Sequence, residues 1–311
     1  MEKADEDEGT GQLLTVVASE NGSFGLPLAW KALQDGATAL DAVEAGVRAV
    51  EDNPDDHTVG YAGHPNIDGV VELDASIMDG ATRRAGAVGG LQGYRHAITV
   101  ARAVLERTPH ALITGAGAGR LAAGIGEPEE NLLTEGERAY WSAGVAGGKA
   151  DLLSQVRQLT RDPREGAGTV DFLAIDRDGH LSSAVSTSGW AFKHPGRLAD
   201  SAIIGAGNYC DDRYGAAACT GWGELAIRAA TAHTAVMAMA RGASPAEAAT
   251  IALQDLFDLP TDGVLPLMHI VVLSPAGEHA AATTMAGARY AWQDESMSEF
   301  AISDRLVVQA R

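Results

Sequence analysis

The feature that most restricts the fold of this chain is a hairpin signal near its middle. Two strand-like runs, VDFLAI at 170–175 and LSSAVST at 181–187, flank residues 176–179, whose sequence DRDG ends in the Asp-Gly pair typical of tight turns. The pattern predicts two antiparallel strands. Thr169 lies where a tract of small glycine-containing residues passes into the first of these strands.

Composition favours a layered α/β (α+β) architecture. Hydrophobic residues make up 46% of the 311 residues but aromatic residues only 5%, and the chain has 37 glycines. A core of small aliphatic side chains that pack closely is ordinary for sheets covered by helices. Helical patterns in the first half, the hairpin, two later helices and a last hairpin over 268–285 predict two packed sheets with helices outside. We expect one domain over residues 1–311.

Local signals place several elements. Thr38 and Asp41 have the spacing of a capping box at the start of a helix. An Ala-rich stretch predicts one long helix over 223–241, and Ser244, followed by Pro245 and an acid three residues on, starts another helix. Residues 127–168 are polar, contain prolines and lack periodicity, which predicts a linker.

The net charge and the search for secretion and membrane-spanning segments argue against several classes of function. The formal net charge of −19 disfavours nucleic acid as a partner, because phosphate binding needs clustered Lys and Arg. The acidic tail MEKADEDEG is expected to stay solvated. No secretion signal and no apolar run of about 18 residues is found, so we expect a cytoplasmic protein without membrane partners. Cys210 and Cys219 show no zinc-site spacing, and no metal ligands are predicted.

A glycine-rich segment, ALITGAGAGRLAAG, invites a nucleotide-binding interpretation. The dinucleotide fingerprint needs a third glycine where Arg120 stands, so a packing turn is favoured over a nucleotide site at residues 115–119. The sequence VSTSGW likewise lacks the first glycine of a nucleophile elbow, which argues against a hydrolase serine at this place.

Thr169 becomes a chemical candidate if the chain is cut before it. A threonine hydroxyl needs a base, and an α-amine on the same residue, with a pKa of roughly 7.7–8.0, is partly neutral near pH 7, whereas an unperturbed lysine near pKa 10.4 is not. Gly168 lacks a Cβ and can take the strained conformation that self-cleavage requires. From the pattern alone, a threonine that simply begins a strand after a linker remains the favoured interpretation.

Five segments change that balance: VELDASIMDG, VARAVLERTPH, GTVDFLAID, STSGWAFKHPGRLADSAIIGAGNYCDD and GAAACTGWGE. In this order they resemble the N-terminal-nucleophile hydrolases of the glycosylasparaginase, plant-type asparaginase and isoaspartyl peptidase family, over about residues 13–287. The resemblance implies a four-layer αββα sandwich. It also implies a precursor that cleaves itself into an α chain, 1–168, and a β chain, 169–311.

The resemblance also implies roles for individual residues. Thr169 is the expected nucleophile, released by cleavage after Gly168, and Thr187 is expected to form a hydrogen bond near its hydroxyl and amine. The expected substrate-binding and oxyanion residues are Arg197 for the α-carboxylate, Asp200 for the α-ammonium, Thr220 and Gly221 for the oxyanion, and Gly221 and Gly223 in the substrate site. We expect no cofactor apart from a structural sodium ion, a small aspartyl amide as substrate, and a homodimer of processed units.

The sequence departs from the pattern at the cleavage site. Glycosylasparaginases carry His-Asp before the nucleophile, whereas this chain has Ala167-Gly168, as in the isoaspartyl peptidase and plant-type asparaginase branch. Other segments, such as VEDNPDDHTVGYAGHPN, look more like glycosylasparaginase. Glycosylasparagine is therefore the first expected substrate, with isoaspartyl dipeptides and asparagine next. The alternative from another functional class is a homologue that does not cleave itself and only binds a ligand.

Overall fold

The computed structural model describes residues 14–146, 152–159, 168–261 and 265–311. The predicted acidic tail lies outside these residues. The strands, in chain order, are β1 (Thr15–Ser19), β2 (Leu73–Asp79), β3 (Ala85–Leu91), β4 (Leu112–Thr114), β5 (Val170–Ile175), β6 (Leu181–Thr187), β7 (Asn208–Asp211), β8 (Gly215–Gly221), β9 (Met268–Leu273), β10 (His279–Thr283), β11 (Arg289–Asp294), β12 (Ala301–Asp304) and β13 (Leu306–Val307).

The strands form two sheets. The larger sheet has the order β12-β11-β1-β5-β6-β2-β3-β4, and the smaller has the order β13-β10-β9-β8-β7. Neighbours are antiparallel except for the parallel pairs β3–β4 and β10–β13. The predicted hairpin is confirmed as β5–β6, with Val170 opposite Ser186 and Ile175 opposite Leu181. This hairpin lies in the middle of the larger sheet.

Helices cover the outer face of each sheet. The α-helices of the described residues are α1 (Leu26–Gln34), α2 (Ala39–Asp52), α3 (Ala97–Arg107), α4 (Gly115–Ile125), α5 (Glu135–Val145), α6 (Leu152–Leu159), α7 (Gly223–Ala229), α8 (Thr231–Met239) and α9 (Pro245–Phe257). Helices α2 and α3 pack on the larger sheet, and α8 and α9 pack on the smaller. The predicted helix–sheet–sheet–helix fold is confirmed, as is the capping box that begins α2 at Thr38.

The core between the sheets is built from residues on alternate positions of facing strands. Leu173 and Val185 from the larger sheet meet Ala216, Ala218 and Val271 from the smaller. Because side chains alternate along a strand, Thr169 and Thr220 have the same parity as these core residues. Both threonines therefore lie at one end of the space between the sheets.

Small residues allow the layers to approach closely. Gly46 of α2 lies against the ring of Phe172 in β5, and a Cβ at residue 46 would come within 2.5 Å of that ring. The large aromatic side chain is accommodated only because its neighbour has none. The absence of a side chain at residue 46 lets α2 pack closely on β5.

Three expectations from the sequence were wrong in detail. The single helix predicted over 223–241 is broken at Ala230, which has a φ of 48°. The break lets the backbone N–H groups of Ala232 and His233 donate to the carbonyls of Ala206 and Gly205, and local propensity carries no signal for such distant partners. The segment at 115–119 is the start of α4 rather than a turn.

The predicted linker over 127–168 also contains helices. Thr134 caps α5 by accepting a hydrogen bond from the N–H of Glu137, and α6 follows. The indole N–H of Trp141 in α5 donates to the carbonyl of Ile67 at 3.0 Å. The helix is therefore stabilised by contacts with a loop far away in sequence, which its weak periodicity did not indicate.

None of the helices in the described parts of the chain combines the length and the apolar character that spanning a bilayer requires.

A buried carboxyl group of α2 gives a test of the fold. Glu51 has no exposed surface, accepts hydrogen bonds from Ser186 and from the N–H of Ile98, and leaves Oε2 buried without a partner in the described chain. Burial raises its pKa to about 8. The folded chain therefore keeps a proton that the unfolded chain releases above about pH 4.5, and this residue becomes destabilising as pH rises from about 4.5 to 8.

We predict that Glu51→Gln matches the unmodified protein in Tm near pH 5 and exceeds it by several degrees at pH 8, because the amide cannot ionise. Thermal unfolding at the two pH values measures the difference. The exposed Glu278→Gln variant is the control and should show no such change. An equal Tm gap at both pH values would contradict the assignment.

Candidate active site

The β5–β6 hairpin positions the predicted nucleophile. Thr169 immediately precedes β5 and is 8% exposed, and the hairpin register brings it beside Thr187 at the end of β6. The hydroxyl of Thr187 donates to the carbonyl oxygen of Gly168 at 2.6 Å and accepts from the N–H of Gly189 at 2.8 Å. A hydrogen-bond donor is thus held against the carbonyl of the peptide bond that self-cleavage would break.

The second sheet provides the facing wall. Thr220 and Gly221 end β8, and together with Gly168 and Thr169 they line a cleft of about 440 Å³. The hydroxyls of Thr169 and Thr220 form no hydrogen bond with any other described residue. Two unengaged hydroxyls of this kind are the groups that a nucleophile and an oxyanion donor require.

Gly221 is required by the backbone at the edge of the cleft. Its φ is 126°, and a Cβ there would lie 2.4 Å from the carbonyl oxygen of Leu267. A side chain would strain the backbone and push β8 away from the segment that precedes β9. The predicted oxyanion residue therefore lies at a position that only glycine fits.

Arg197 and Asp200 form a second, adjacent group. Arg197 donates from Nε and Nη2 to Glu224 at 3.0 and 2.9 Å, and its guanidinium lies over the ring of Trp190. The remaining Nη1 of Arg197 and Oδ2 of Asp200 are buried without a partner in the described chain. Burial raises the pKa of Asp200 to about 7, although the charge of Arg197 acts in the opposite direction.

Gly223 leaves room for the side chain of Asp200. A Cβ at residue 223 would lie 2.6 Å from Oδ1 of Asp200 and 3.4 Å from Nη2 of Arg197. The structure therefore brings Arg197, Asp200 and Gly223 together, and their roles in substrate binding stay predictions. None of the three lines the cleft that contains Thr169, so this group lies to one side of the cleft.

The motif LDAS in β2 fixes the segment that carries Arg197 and Asp200. Asp74 accepts hydrogen bonds from the N–H groups of Gly90 and Ala199, and the hydroxyl of Ser76 donates to the carbonyl of Ser201 at 2.6 Å. Both side chains are buried. The sequence analysis singled out this motif only through the family resemblance. The hydrogen bonds show its structural role, which is to hold the segment around Arg197 and Asp200.

The sequence analysis missed the residues that contact the cleavage site from the loop after α2. A Cβ on Gly168 would lie 2.4 Å from Oγ1 of Thr58. The hydroxyl of Thr58 donates to Asp56 at 2.6 Å, and Asn21 donates to the other oxygen of the same carboxylate at 2.8 Å. The loop was noted for its resemblance, but no sequence signal indicates that Thr58 touches Gly168.

Comparison with known proteins agrees with this geometry. A family model described as asparaginase matches residues 25–302. The chain belongs to the asparaginase family. This confirms the resemblance to the threonine amidohydrolases with an N-terminal nucleophile, in which self-processing is typical.

Three relatives indicate the range of the family around this chain. It is 39% identical to an N(4)-(beta-N-acetylglucosaminyl)-L-asparaginase of Elizabethkingia miricola, over 86% of this chain and 77% of the relative. It is 36% identical to an isoaspartyl peptidase/L-asparaginase of Rattus norvegicus, over 83% and 75% of the two chains. It is 37% identical to a plant-type L-asparaginase of Pyrococcus horikoshii, over 87% and 88%. The three identities are too similar to one another to show which branch of the family this chain belongs to.

Other expectations from the resemblance stay predictions. Within the described residues, no group of three His, Cys, Asp or Glu side chains is placed to hold a metal ion. Sodium binds oxygen ligands that include backbone carbonyls, so this observation does not bear on the expected sodium ion. The homodimer and the cytoplasmic location likewise stay predictions.

The contact between Gly168 and Thr58 gives a first prediction for the site. We expect Gly168→Ala to slow or prevent cleavage before Thr169, because the new methyl group would overlap the Thr58 side chain and displace the carbonyl from Thr187. A denaturing gel over time measures the intact fraction. Gly124→Ala, at an open position of α4, should process normally. Cleavage of Gly168→Ala at the unmodified rate would contradict the prediction.

Thr220 gives a second prediction. We expect Thr220→Ala to lower kcat several hundredfold, because one oxyanion donor typically contributes about 2.7–4 kcal/mol. The fold should be retained, since the hydroxyl has no partner among the described residues. Steady-state kinetics and thermal unfolding test the two parts. Thr250→Ala in α9, outside the cleft, should leave kcat unchanged, and near-normal turnover by Thr220→Ala would rule out its role.

Proposed function

We propose that the chain cleaves its own Gly168–Thr169 bond and then hydrolyses the side-chain amide of aspartyl substrates, with N4-(β-N-acetylglucosaminyl)-L-asparagine preferred. One observation carries the proposal. The hydroxyl of Thr187 donates to the carbonyl oxygen of Gly168 at 2.6 Å, and the hydroxyl of the following residue, Thr169, has no hydrogen-bond partner among the described residues.

Maturation begins with an attack by the Thr169 hydroxyl on the carbonyl carbon of Gly168. The carbonyl oxygen gains negative charge and its hydrogen bond from Thr187 strengthens. The carbon–nitrogen bond then breaks, the nitrogen takes up the hydroxyl proton, and an ester joins Gly168 to Oγ1 of Thr169. Water hydrolyses this ester, which leaves a carboxylate on Gly168 and a free α-amine and hydroxyl on Thr169.

Turnover uses the new amine as the base. With a pKa of roughly 7.7–8.0, it accepts the hydroxyl proton as Oγ1 attacks the substrate carboxamide. Thr220 and the N–H of Gly221 stabilise the oxyanion, and the proton goes to the leaving amine. The remaining β-aspartyl ester on Thr169 is hydrolysed by water, which regenerates the free hydroxyl.

Arg197 and Asp200, beside the cleft, are evidence for an amino-acid substrate. Nη1 of Arg197 and Oδ2 of Asp200 are buried polar atoms of opposite charge that lack partners among the described residues. Buried polar atoms of this kind are normally satisfied, and an α-carboxylate and an α-ammonium would satisfy them. An ammonium group beside Asp200 would also favour its ionised form.

The volume and charge of the cleft favour a large, neutral leaving group. Its volume of about 440 Å³ is many times the roughly 30 Å³ that a molecule the size of water or ammonia occupies. Its charged lining residues are Glu20, Asp56, Arg289 and Arg305, two acids and two bases whose formal charges cancel. A neutral sugar suits this balance better than an amino acid that carries its own carboxylate.

Isoaspartyl dipeptides are the second candidate. Arg289 is half exposed at the cleft, and Glu20, which is itself partly exposed, is its one ion-pair partner among the described residues. A carboxylate on a leaving amino acid could replace Glu20 as its partner at little cost, since exposed ion pairs contribute little. Relatives with isoaspartyl peptidase/L-asparaginase activity in their names are nearly as similar to this chain as the glycosylasparaginase.

We predict that purified protein runs as two fragments, 1–168 and 169–311, and that the second begins with Thr169. Denaturing gels with N-terminal sequencing test maturation. The processed protein should then show its highest kcat/KM on glycosylasparagine, a lower value on β-aspartyl dipeptides and the lowest on asparagine.

Thr169→Ala is the matched control, which should stay intact and inactive. Substrate-active protein without a new terminus at residue 169 would overturn the mechanism. An intact, inactive unmodified protein that still binds aspartate would favour the non-processing homologue instead. A preference for dipeptides would favour the second candidate.

A further inference from the structure

His269 lies next to the proposed oxyanion donor. It is on β9, directly opposite Thr220 of β8 in the antiparallel register. Side chains opposite one another in such a pair share a face, with Cβ atoms roughly 4.5–5.5 Å apart. Both residues line the cleft that contains Thr169. The maturation and turnover steps described above make no use of this imidazole.

The hydrogen bonds of the ring define its tautomer. Nδ1 lies 2.8 Å from Oγ1 of Thr283, whose hydroxyl donates to the carbonyl of Met285 at 3.0 Å. A hydroxyl has one proton to donate, so Nδ1 carries a hydrogen and donates to Thr283. Nε2 is then left with its lone pair, and it has no hydrogen-bond partner among the residues that the structure describes.

Arg305 helps to keep this ring uncharged. Its guanidinium also lines the cleft, is buried, and donates to the carbonyls of Arg289 and Ile270 at 2.8 and 2.9 Å. Burial, together with the charge of Arg305, lowers the pKa of His269 to about 3. The imidazole is therefore neutral at working pH and too weak a base to serve as a proton acceptor in catalysis.

The position of the ring indicates which part of a substrate it meets. The cleft contains the reacting centre at Thr169 and Thr220, but neither Arg197 nor Asp200 lines it. With the α-carboxylate and α-ammonium bound at those two residues, the cleft receives the opposite end of the substrate, beyond the scissile nitrogen. That end is the leaving group.

We propose that His269 is a specificity-determining residue whose Nε2 accepts a hydrogen bond from an N–H or O–H group of the leaving group. The inference rests on the proposed function. It adds that the preferred leaving groups carry a donor beyond the scissile nitrogen, as an N-acetylated sugar does. A bare ammonia leaving group does not reach the ring, and a carboxylate in that place meets a lone pair rather than a donor.

Two substrates and three variants test the proposal in the processed enzyme. We expect His269→Ala to lower kcat/KM on N4-(β-N-acetylglucosaminyl)-L-asparagine roughly ten- to hundredfold, because a buried hydrogen bond is lost. Its kcat/KM on asparagine should stay within about threefold of the unmodified value. His269→Gln, which can offer a carbonyl oxygen in place of Nε2, should recover most of the loss on the glycosylated substrate.

His279→Ala is the matched control, because His279 lies on β10 of the same sheet but outside the cleft. It should not alter the ratio of the two kcat/KM values. Equal losses on both substrates in His269→Ala, or no loss on either, would overturn the proposal while leaving the proposed function intact. If the unmodified processed protein hydrolyses neither substrate, the proposed function fails and this inference fails with it.

Discussion

The register of the β5–β6 hairpin is the constraint on which the proposed site depends. The pairing of Val170 with Ser186 brings Thr169 and Thr187 together and turns both toward the space between the sheets. A shift of one residue would reverse every side chain of β5 and carry the threonine to the helix-covered face. The register is strongly specified, because Phe172 packs against α2 on one face while Leu173 packs against the smaller sheet on the other.

Buried charge is the second constraint, and Asp74 and Lys193 use it to hold the backbone in place. Asp74 has no exposed surface, and its two carboxylate oxygens accept N–H groups from β3 and from the segment before Asp200. Lys193 is similarly buried and donates to the carbonyl of Glu72. Such groups are costly to bury and strongly destabilising to break. Arg197 and Asp200 differ from Asp74 and Lys193, because each keeps a buried atom without a partner in the described chain. Glu51 also keeps one, but Arg197 and Asp200 lie together as a base and an acid, as expected of residues that bind a ligand carrying both charges.

Local sequence signals predicted what depends on local structure. The Asp-Gly hairpin and the capping box at Thr38 were correct because a turn or a helix end is decided by a few neighbouring residues. The break at Ala230 and the helix α5 depend on partners far away in sequence, so periodicity could not reveal them. The family resemblance implied a role for Thr220, which stays a prediction, whereas no sequence signal indicated His269. Its place beside Thr220 follows only from the order of strands in the smaller sheet.

The small residues between the sheets have a consequence for how the core can evolve. Thr169 immediately precedes β5 of the larger sheet, and Thr220 is in β8 of the smaller. Ala216 and Ala218 of β8 lie in the layer that separates the two sheets. Sheets packed face to face take their separation from the side chains between them. A larger residue at either alanine would move the nucleophile and the oxyanion donor apart even if stability were preserved. Selection for activity therefore limits side-chain volume at positions that contact no substrate. Substitutions in this interior are restricted by the ångström-scale distances that the reaction tolerates, and not by folding alone.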